Sequence, residues 1–476
     1  MSMVRKVAKN TGLLVVASIF TSIMAFIWTL FTANYLGVES FGILSGAIAL
    51  TSMFSILADL GLSVYTIREV AREPNKTGKY FATVSTIKLI LSILTFILLI
   101  GIAFIKNYNW ISFQVLIYIA LYTIITSFTS LCNAIFQAHE RMEFQTIGNV
   151  INSALLLLAI IISIYILGGD VVLISIGYML TSIFTLIYSL IMVITKFDKP
   201  LYDFDLNFYK DTFKFALPFG ITAIFTTIYF WIDSVMLSFM QGDVSVGLYN
   251  APYKLLFVLT SVYSVYMTSI FPMMSRFFID SQDALKFTYH RSIKYLLIIG
   301  IPIAVGGTIL AKEIILFVYS PQYLGSVPAL QILMWSVVFM YVNGLTSNLL
   351  NSSNKQLTVT KITSIGAIFN ILINLIIIPI WSFIGASIST VLTECLIFIV
   401  FTIYISKTKF HLEKRLIITV LKLLFASFVM VIILHFIKLN IIATVLIGAI
   451  IYGILILLIK VLDEKDLQMI KELVNK

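Results

Sequence analysis

Asp233, Lys254, Glu394, Asp59 and Lys88 are ionisable residues set inside long apolar runs. A charge at the centre of a lipid-facing helix costs about 2.5–3.5 kcal/mol on insertion scales, so each marks a place where pairing or ion binding offsets that cost. Asp233 stands about seven residues before a turn between two apolar runs, and Lys254 about seven after it. Antiparallel helices bring such positions to a common depth, which predicts an Asp233–Lys254 pair, either structural or part of a mechanism. Asp59 and Lys88 repeat the pattern nearer a membrane interface, where long side chains are expected to snorkel to water. Glu394 lies near the middle of its run, and a carboxylate there, or at Asp233, would suit a proton or a sodium ion. Lys422 falls in a later run and is expected to be structural.

Other motifs are weaker. Asp203-Phe204-Asp205 imitates a metal-binding Asp-x-Asp, but no nucleotide-binding domain surrounds it. His139-Glu140 lacks the second His of a zinc site, and no Gly-rich Lys motif for nucleotide phosphates occurs, so no metal, cofactor or catalytic residue is expected. Cys132 and Cys395 both lie in apolar runs and read as small buried hydrophobes.

The elements that must position these residues are spanning helices. The sequence is 60% hydrophobic and 11% charged with mean hydropathy +1.04, whereas a soluble domain carries about 25% charged residues. Unbroken runs of about 20 apolar residues fit α-helices crossing about 30 Å of hydrocarbon, not the alternation of a barrel strand. Fourteen spans are predicted, near 11–33, 42–64, 84–105, 111–136, 147–167, 171–194 and 213–239, then 248–272, 293–311, 327–350, 360–380, 383–404, 414–436 and 440–461. The first reads as a retained span, being too long for a signal-peptide core.

Charge sets the orientation. Inward segments begin with Arg5, Lys6 and Lys9, continue with Arg68, Arg72, Lys76 and Lys79, and end with Lys460, Lys465, Lys471 and Lys476. Only Lys106, Lys312 and Lys438 fall in outward segments, which predicts cytoplasmic termini in a cell membrane. The basic balance therefore reflects topology and not nucleic-acid binding.

The chain also repeats. Leu36-Gly37-Val38-Glu39-Ser40-Phe41-Gly42 is echoed by Gln241-Gly242-Asp243-Val244-Ser245-Val246-Gly247 at an offset of 205. His139 pairs with Asn354 at offset 215, and Ile147-Gly148 with Ile365-Gly366 at offset 218. Six spans separate the copies, an even number, so the repeat is parallel. The expected architecture is an all-α polytopic membrane protein: a six-helix bundle over 1–200, a second over 201–410, and two further helices with a tail over 411–476.

Ala33-Asn34-Tyr35-Leu36-Gly37-Val38-Glu39-Ser40-Phe41-Gly42 resembles the first-loop signature of Wzx-type polysaccharide flippases. Asp233-Ser234-Val235-Met236-Leu237 with Gly247-Leu248-Tyr249-Asn250-Ala251-Pro252-Tyr253-Lys254 resembles a second block, and Glu313-Ile314-Ile315-Leu316-Phe317 with Tyr323 a third. Asn370, Asn374, Pro379, Gly385-Ala386 and Glu394 fit a fourth. Two departures stand out: Asn34 replaces a frequent Arg, and Ser382 ends what is otherwise a Pro-x-x-Gly turn. The resemblance runs from about residue 5 to 405 and implies the wider multidrug/oligosaccharidyl-lipid/polysaccharide exporter superfamily.

The resemblance implies a monomeric flippase for polyprenyl-diphosphate oligosaccharide, moved from the cytoplasmic to the outer leaflet by alternating access of two bundles. On that reading Lys254, Arg291 and Lys294 are candidates for phosphate contact, and coupling to H+ or Na+ is open. The Tyr-rich eighth span (Tyr249, Tyr253, Tyr263, Tyr266) offers surfaces for sugars. A cation-coupled multidrug antiporter of the same superfamily is the alternative. A membrane glycosyltransferase or polymerase fits less well, because every outer loop is short.

Overall fold

The computed structural model describes residues 3–203, 205–436, 440–463 and 466, with side chains from residue 20 onward except those of 222 and 435. The side chains of Arg5, Lys6 and Lys9, and residues Phe204, Lys438, Lys465, Lys471 and Lys476, lie outside the described residues. Among the described residues the chain is helical and has no strand. The helices are α1 Met3–Asp59, α2 Leu62–Arg72, α3 Thr77–Ile105, α4 Trp110–Ala138, α5 Met142–Ile161, α6 Val171–Lys196 and α7 Leu206–Met240. They continue with α8 Asp243–Asp280, α9 Gln282–Ile309, α10 Ala311–Val318, α11 Val327–Ser352, α12 Gln356–Ser406, α13 Arg415–Phe436 and α14 Ile441–Leu458.

Among the described residues, twelve helices are long and apolar enough to cross a membrane. Two of these are double. Helix α1 has 57 residues and α12 has 51, about 85 and 75 Å at 1.5 Å per residue, well beyond a bilayer. Each contains one non-helical residue, Gly37 (φ 73) and Ser382 (φ 50), which divides it into two spanning lengths. The crossing segments are thus the fourteen expected from hydropathy. Short polar residues start several of them: Asn109, Asp170, Asp205, Ser281 and Asn440 each accept from backbone N–H groups of the first turn. The outer faces are apolar, as on α3, where Leu89, Ile90, Ile93, Leu94 and Ile97 are exposed.

The chain divides into two compact units, one of Met1–Asn250 with Asn374–Phe383, the other of Ala251–Ile373 with Ile384–Lys476. The blocks 1–200, 201–410 and 411–476 are divisions of the repeat and a different partition of the chain. Within the first unit, one apolar cluster gathers Leu44, Leu50, Leu99, Val115, Ile119 and Ile174, and a second gathers Leu62, Val84, Leu131, Ile135 and Phe136.

The repeat is written in the turns. Gly37 and Gly242 both adopt positive φ (73° and 84°) at the offset of 205. Glu140 and Asn354 (56° and 58°) follow at 214, and Gly168 and Ser382 (56° and 50°) at 214 again. The backbone therefore corrects the His139–Asn354 pairing by one residue. It also places the Ile147–Ile365 echo one helical turn out of register with the turns that flank it. Ser382 (φ 50, ψ −133) holds a sparsely populated conformation that costs a non-glycine residue about 1–3 kcal/mol, whereas glycine, as at its counterpart Gly168, takes positive φ readily.

Two repeat mates also meet each other inside the first unit. A Cβ on Gly42 would lie 1.8 Å from the Asp243 carbonyl oxygen, and one on Gly247 would lie 2.1 Å from that of Val38. Val38 and Asp243 are themselves mates at offset 205, so the contact is a reciprocal, pseudo-two-fold approach of backbone to backbone. Nothing but hydrogen fits there. Gly247→Ala is expected to destabilise the protein by about 3 kcal/mol or more, the upper range for overpacking, because the obstacle is a carbonyl and not a movable side chain. Thermal unfolding of the purified variant in detergent reads this directly; an unchanged midpoint contradicts it.

Candidate functional site

In the first unit the polar centre is Asp233 on α7. Its carboxylate is buried and accepts from the Tyr249 hydroxyl at 2.8 Å and from Asn374 Nδ2 at 2.6 Å. Beside it, Asn250 Nδ2 donates to Ser234 Oγ at 3.0 Å and to the Val246 carbonyl at 3.0 Å. The turn explains this arrangement. Only Gln241 and Gly242 separate α7 from α8, where a longer loop was expected, and Gln241 Nε2 donates to the Ile378 carbonyl at 3.1 Å. With so short a turn, equal depth selects Tyr249 and Asn250 for Asp233. Lys254 lies about one helical turn further along α8, in the second unit, with its ammonium 5.6 Å from the Phe257 ring centre. The Asp233–Lys254 pair expected from the sequence sets one residue in each unit and remains an expectation.

Asp59 and Lys88 are joined as an ion pair, with the lysine enclosed by protein. The Lys88 side chain is 0% exposed, against 23% for Asp59, so snorkelling is excluded for the lysine. Ser63 completes the group, donating to Asp59 Oδ1 at 2.5 Å and accepting from Lys88 Nζ at 3.2 Å. The turn at Leu60–Gly61 brings Ser63 back over Asp59, and Gly61 lets that turn approach the backbone of Gly220 on α7. At the other end of α7, Lys106 donates to the Ser238 carbonyl and, at 2.7 Å, to Ser238 Oγ. Burial draws the Lys106 ammonium below its usual pKa, and the nearby Asp243 charge opposes this. Lys79 pairs with Asp203 at 2.9 Å and lies 3.8 Å from Asp205, whose carboxylate also caps α7; both acids thus have structural work. Among the described residues no group of acids, histidines and cysteines could hold a metal.

In the second unit Glu394 is buried on α12 and accepts from Asn343 Nδ2 of α11 at 2.7 Å, while the same nitrogen donates to the Glu394 carbonyl at 2.9 Å. Asn370 Nδ2 donates at 3.3 Å to the hydroxyl of Thr393, the residue that precedes Glu394. A ladder of tyrosines lines α8, α9 and α11: Tyr263 stacks on Tyr341, Asn348 Nδ2 donates to the Tyr263 hydroxyl at 2.7 Å, and Tyr266 donates to Ser292 at 2.8 Å. Arg291 and Lys294 do not stand open. Asp466, fully buried, accepts from Arg291, from Lys294 at 2.5 Å and from the Tyr295 hydroxyl at 2.7 Å. Asp463 takes Arg291 at 2.8 Å, and the two aspartates exchange backbone hydrogen bonds at 2.9 Å. For Asp463 burial acts to raise the pKa, but the Arg291 bond, the Asp466 N–H and the Lys294 charge together hold it below the usual carboxylate range. This is a latch between α9 and the segment after α14. Lys422 adds to it by donating to the Ile459 carbonyl at 2.8 Å.

Hydropathy found Asp233, Asp59, Lys88 and Glu394, but not Tyr249, Asn343, Asp463 or Asp466. Tyr249 was within reach of sequence reasoning had the turn been drawn at Gln241-Gly242. Asn343 and Asp466 carry no local signal.

These buried groups belong to a fold with known relatives. The profile of the polysaccharide biosynthesis protein family matches residues 7–278, more than half of the chain. The chain belongs to that family. A second profile, MatE, matches residues 218–376. An uncharacterized membrane protein of Methanocaldococcus jannaschii is 27% identical over 310 residues, covering 63% of this chain and 61% of the relative, so the match spans less than two thirds of that protein. The probable low-salt glycan biosynthesis flippase Agl15 of Haloferax volcanii is 22% identical over 81% of this chain and 80% of its own length. Among solved structures, lipid II flippase MurJ in an inward closed conformation matches with TM-score 0.76 and 17% identity, over 92% of this chain and 97% of that one. The all-α exporter fold and the superfamily inferred from the sequence therefore hold for this member of the polysaccharide biosynthesis protein family, a multi-pass membrane protein.

In that family fold, Asp59 and Lys88 are costly singly and cheap together. Lys88→Met leaves a mostly buried carboxylate with only Ser63 and is expected to cost about 3 kcal/mol. The double variant Asp59→Asn, Lys88→Met should recover most of the loss. Chemical unfolding in detergent micelles distinguishes this coupling from two additive losses, which would contradict it.

Proposed function

We propose that the protein is a flippase for polyprenyl-diphosphate-linked oligosaccharide, moving it from the cytoplasmic to the outer leaflet by alternating access of its two bundles. The observation that carries this reading is membership of the polysaccharide biosynthesis protein family over residues 7–278, on a fold shared with a lipid II flippase. The named glycan flippase of Haloferax volcanii, similar along most of its length, supports the same cargo class.

The physical task fits the side chains. Each sugar hydroxyl stripped of water costs several kcal/mol in hydrocarbon, so the head needs a polar lining while the tail stays in lipid. Lys254 supplies a cation for the diphosphate. Arg291 and Lys294 would join it only on leaving Asp466. Tyr263 and Tyr266 offer aromatic faces bordered by hydroxyl and amide groups for sugar rings. Asp233 and Glu394 are the coupling carboxylates, for H+ or Na+. Asn343 suits a proton at Glu394, since an amide donates to the carboxylate and, flipped, accepts from the acid. The chain then works as a monomeric, non-enzymatic transporter with both termini in the cytoplasm. The rival, a multidrug antiporter, draws on the MatE match over residues 218–376.

In cells lacking their own exporter of lipid-linked glycan, the wild-type chain should restore surface glycan. Asp233→Asn should lower it about fivefold or more, the lower limit of a 1–3 kcal/mol coupling, with the variant still folded in the membrane. Cells that regain no surface glycan but become resistant to cationic dyes would favour the antiporter.

A further inference from the structure

At the end of the second unit where α9 and α13 begin and α14 ends lies a cavity of about 400 Å³. Its walls carry six cations: Lys286, Arg291, Lys294, Arg415, Lys422 and Lys460. Arg291 and Lys294 are committed to Asp463 and Asp466 in the latch described above. Glu413 is committed to His290, whose Nδ1 lies 3.1 Å from its carboxylate. That leaves Lys286, Arg415, Lys422 and Lys460 without a carboxylate in ion-pair range among the described residues, against one acid of the same walls, Asp283. With Asp466 counted among the acids, the lining has a formal excess of two positive charges. Beside the groove the outer face of α13 is apolar, with Ile417, Ile418 and Leu421 exposed.

We propose that this groove binds a phosphate group, with Lys286, Arg415 and Lys460 as its ligands and Lys422 holding the α14 end in place. An excess of two charges matches a phosphate of charge near −2. The adjoining apolar face of α13 suits an acyl or prenyl chain, so a lipid headgroup can occupy the groove with its tail alongside. Free diphosphate presents the same chemistry without the tail. The latch serves this site: by neutralising Arg291 and Lys294 and fixing the segment after α14, Asp463 and Asp466 hold Lys460 and Val461 as one wall. The inference does not rest on the flippase reading, because a phosphate site here would stand whatever cargo crosses.

The test is binding, not transport. Thermal unfolding of the purified full-length chain is followed with inorganic diphosphate against chloride at matched ionic strength. It is repeated in phosphatidylcholine nanodiscs with and without phosphatidic acid. We expect the wild type to melt higher with phosphatidic acid. The double variant Lys286→Gln, Arg415→Gln should bind about thirtyfold more weakly, at roughly fivefold per surface cation. Lys286→Arg with Arg415→Lys should bind as the wild type does, which separates lost charge from lost folding. A rise with diphosphate as well assigns the site to phosphate itself; a rise with phosphatidic acid alone assigns it to a lipid headgroup. No rise with either probe, or an equal rise in the Gln variant, overturns the proposal. Translocation is not read, so that outcome leaves the flippase reading untouched.

Discussion

A peptide group without a hydrogen-bond partner in hydrocarbon costs several kcal/mol, and this one penalty organises the chain from its first span to its last. It makes every crossing segment a helix and forbids irregular backbone except where protein encloses it. The exceptions are informative. Gly37 and Ser382 interrupt helices that would otherwise run about twice the thickness of a bilayer, and Gln241-Gly242 reverses the chain in two residues. The same penalty, applied to side chains, explains why each buried carboxylate has donors from its own unit. Asp233 has Tyr249 and Asn374; Glu394 has Asn343; Asp466 has Arg291, Lys294 and Tyr295.

Two of these arrangements differ in kind. Asp59 and Lys88 neutralise each other with one serine between them, an arrangement that needs no further partner and fits a structural bolt between α1 and α3. Asp233 accepts from a hydroxyl and an amide, and Glu394 accepts from an amide.

Much of this was legible in the sequence because hydropathy is local. The fourteen spans, and the repeat through Gly37 and Gly242, needed no knowledge of packing. What failed depended on geometry between distant residues. Gly168 and Ser382 occupy equivalent turns yet share no side-chain type, so the offset of 214 was visible only in the backbone. Lys88 was expected at the water because a lysine near a helix end usually reaches it; full burial beside Asp59, Ser63 and Cys132 decided otherwise. Asn343 and Glu394 are 51 residues apart, and Arg291 and Asp466 are 175 apart, separations at which no pattern announces a contact. The basic residues Arg291 and Lys294 looked free for phosphate because their acids come from beyond the last span.

The reading as a whole turns on whether a polar head crosses the bilayer through this protein. Reconstitution tests that most directly: purified chain in proteoliposomes, polyprenyl-diphosphate oligosaccharide in the inner leaflet, and lectin capture of glycan that reaches the outside. We expect protein-dependent appearance of the glycan at the outer surface, with empty liposomes at background. Background capture for several glycans, alongside efflux of a cationic dye from the same vesicles, would contradict the flippase reading and identify an antiporter.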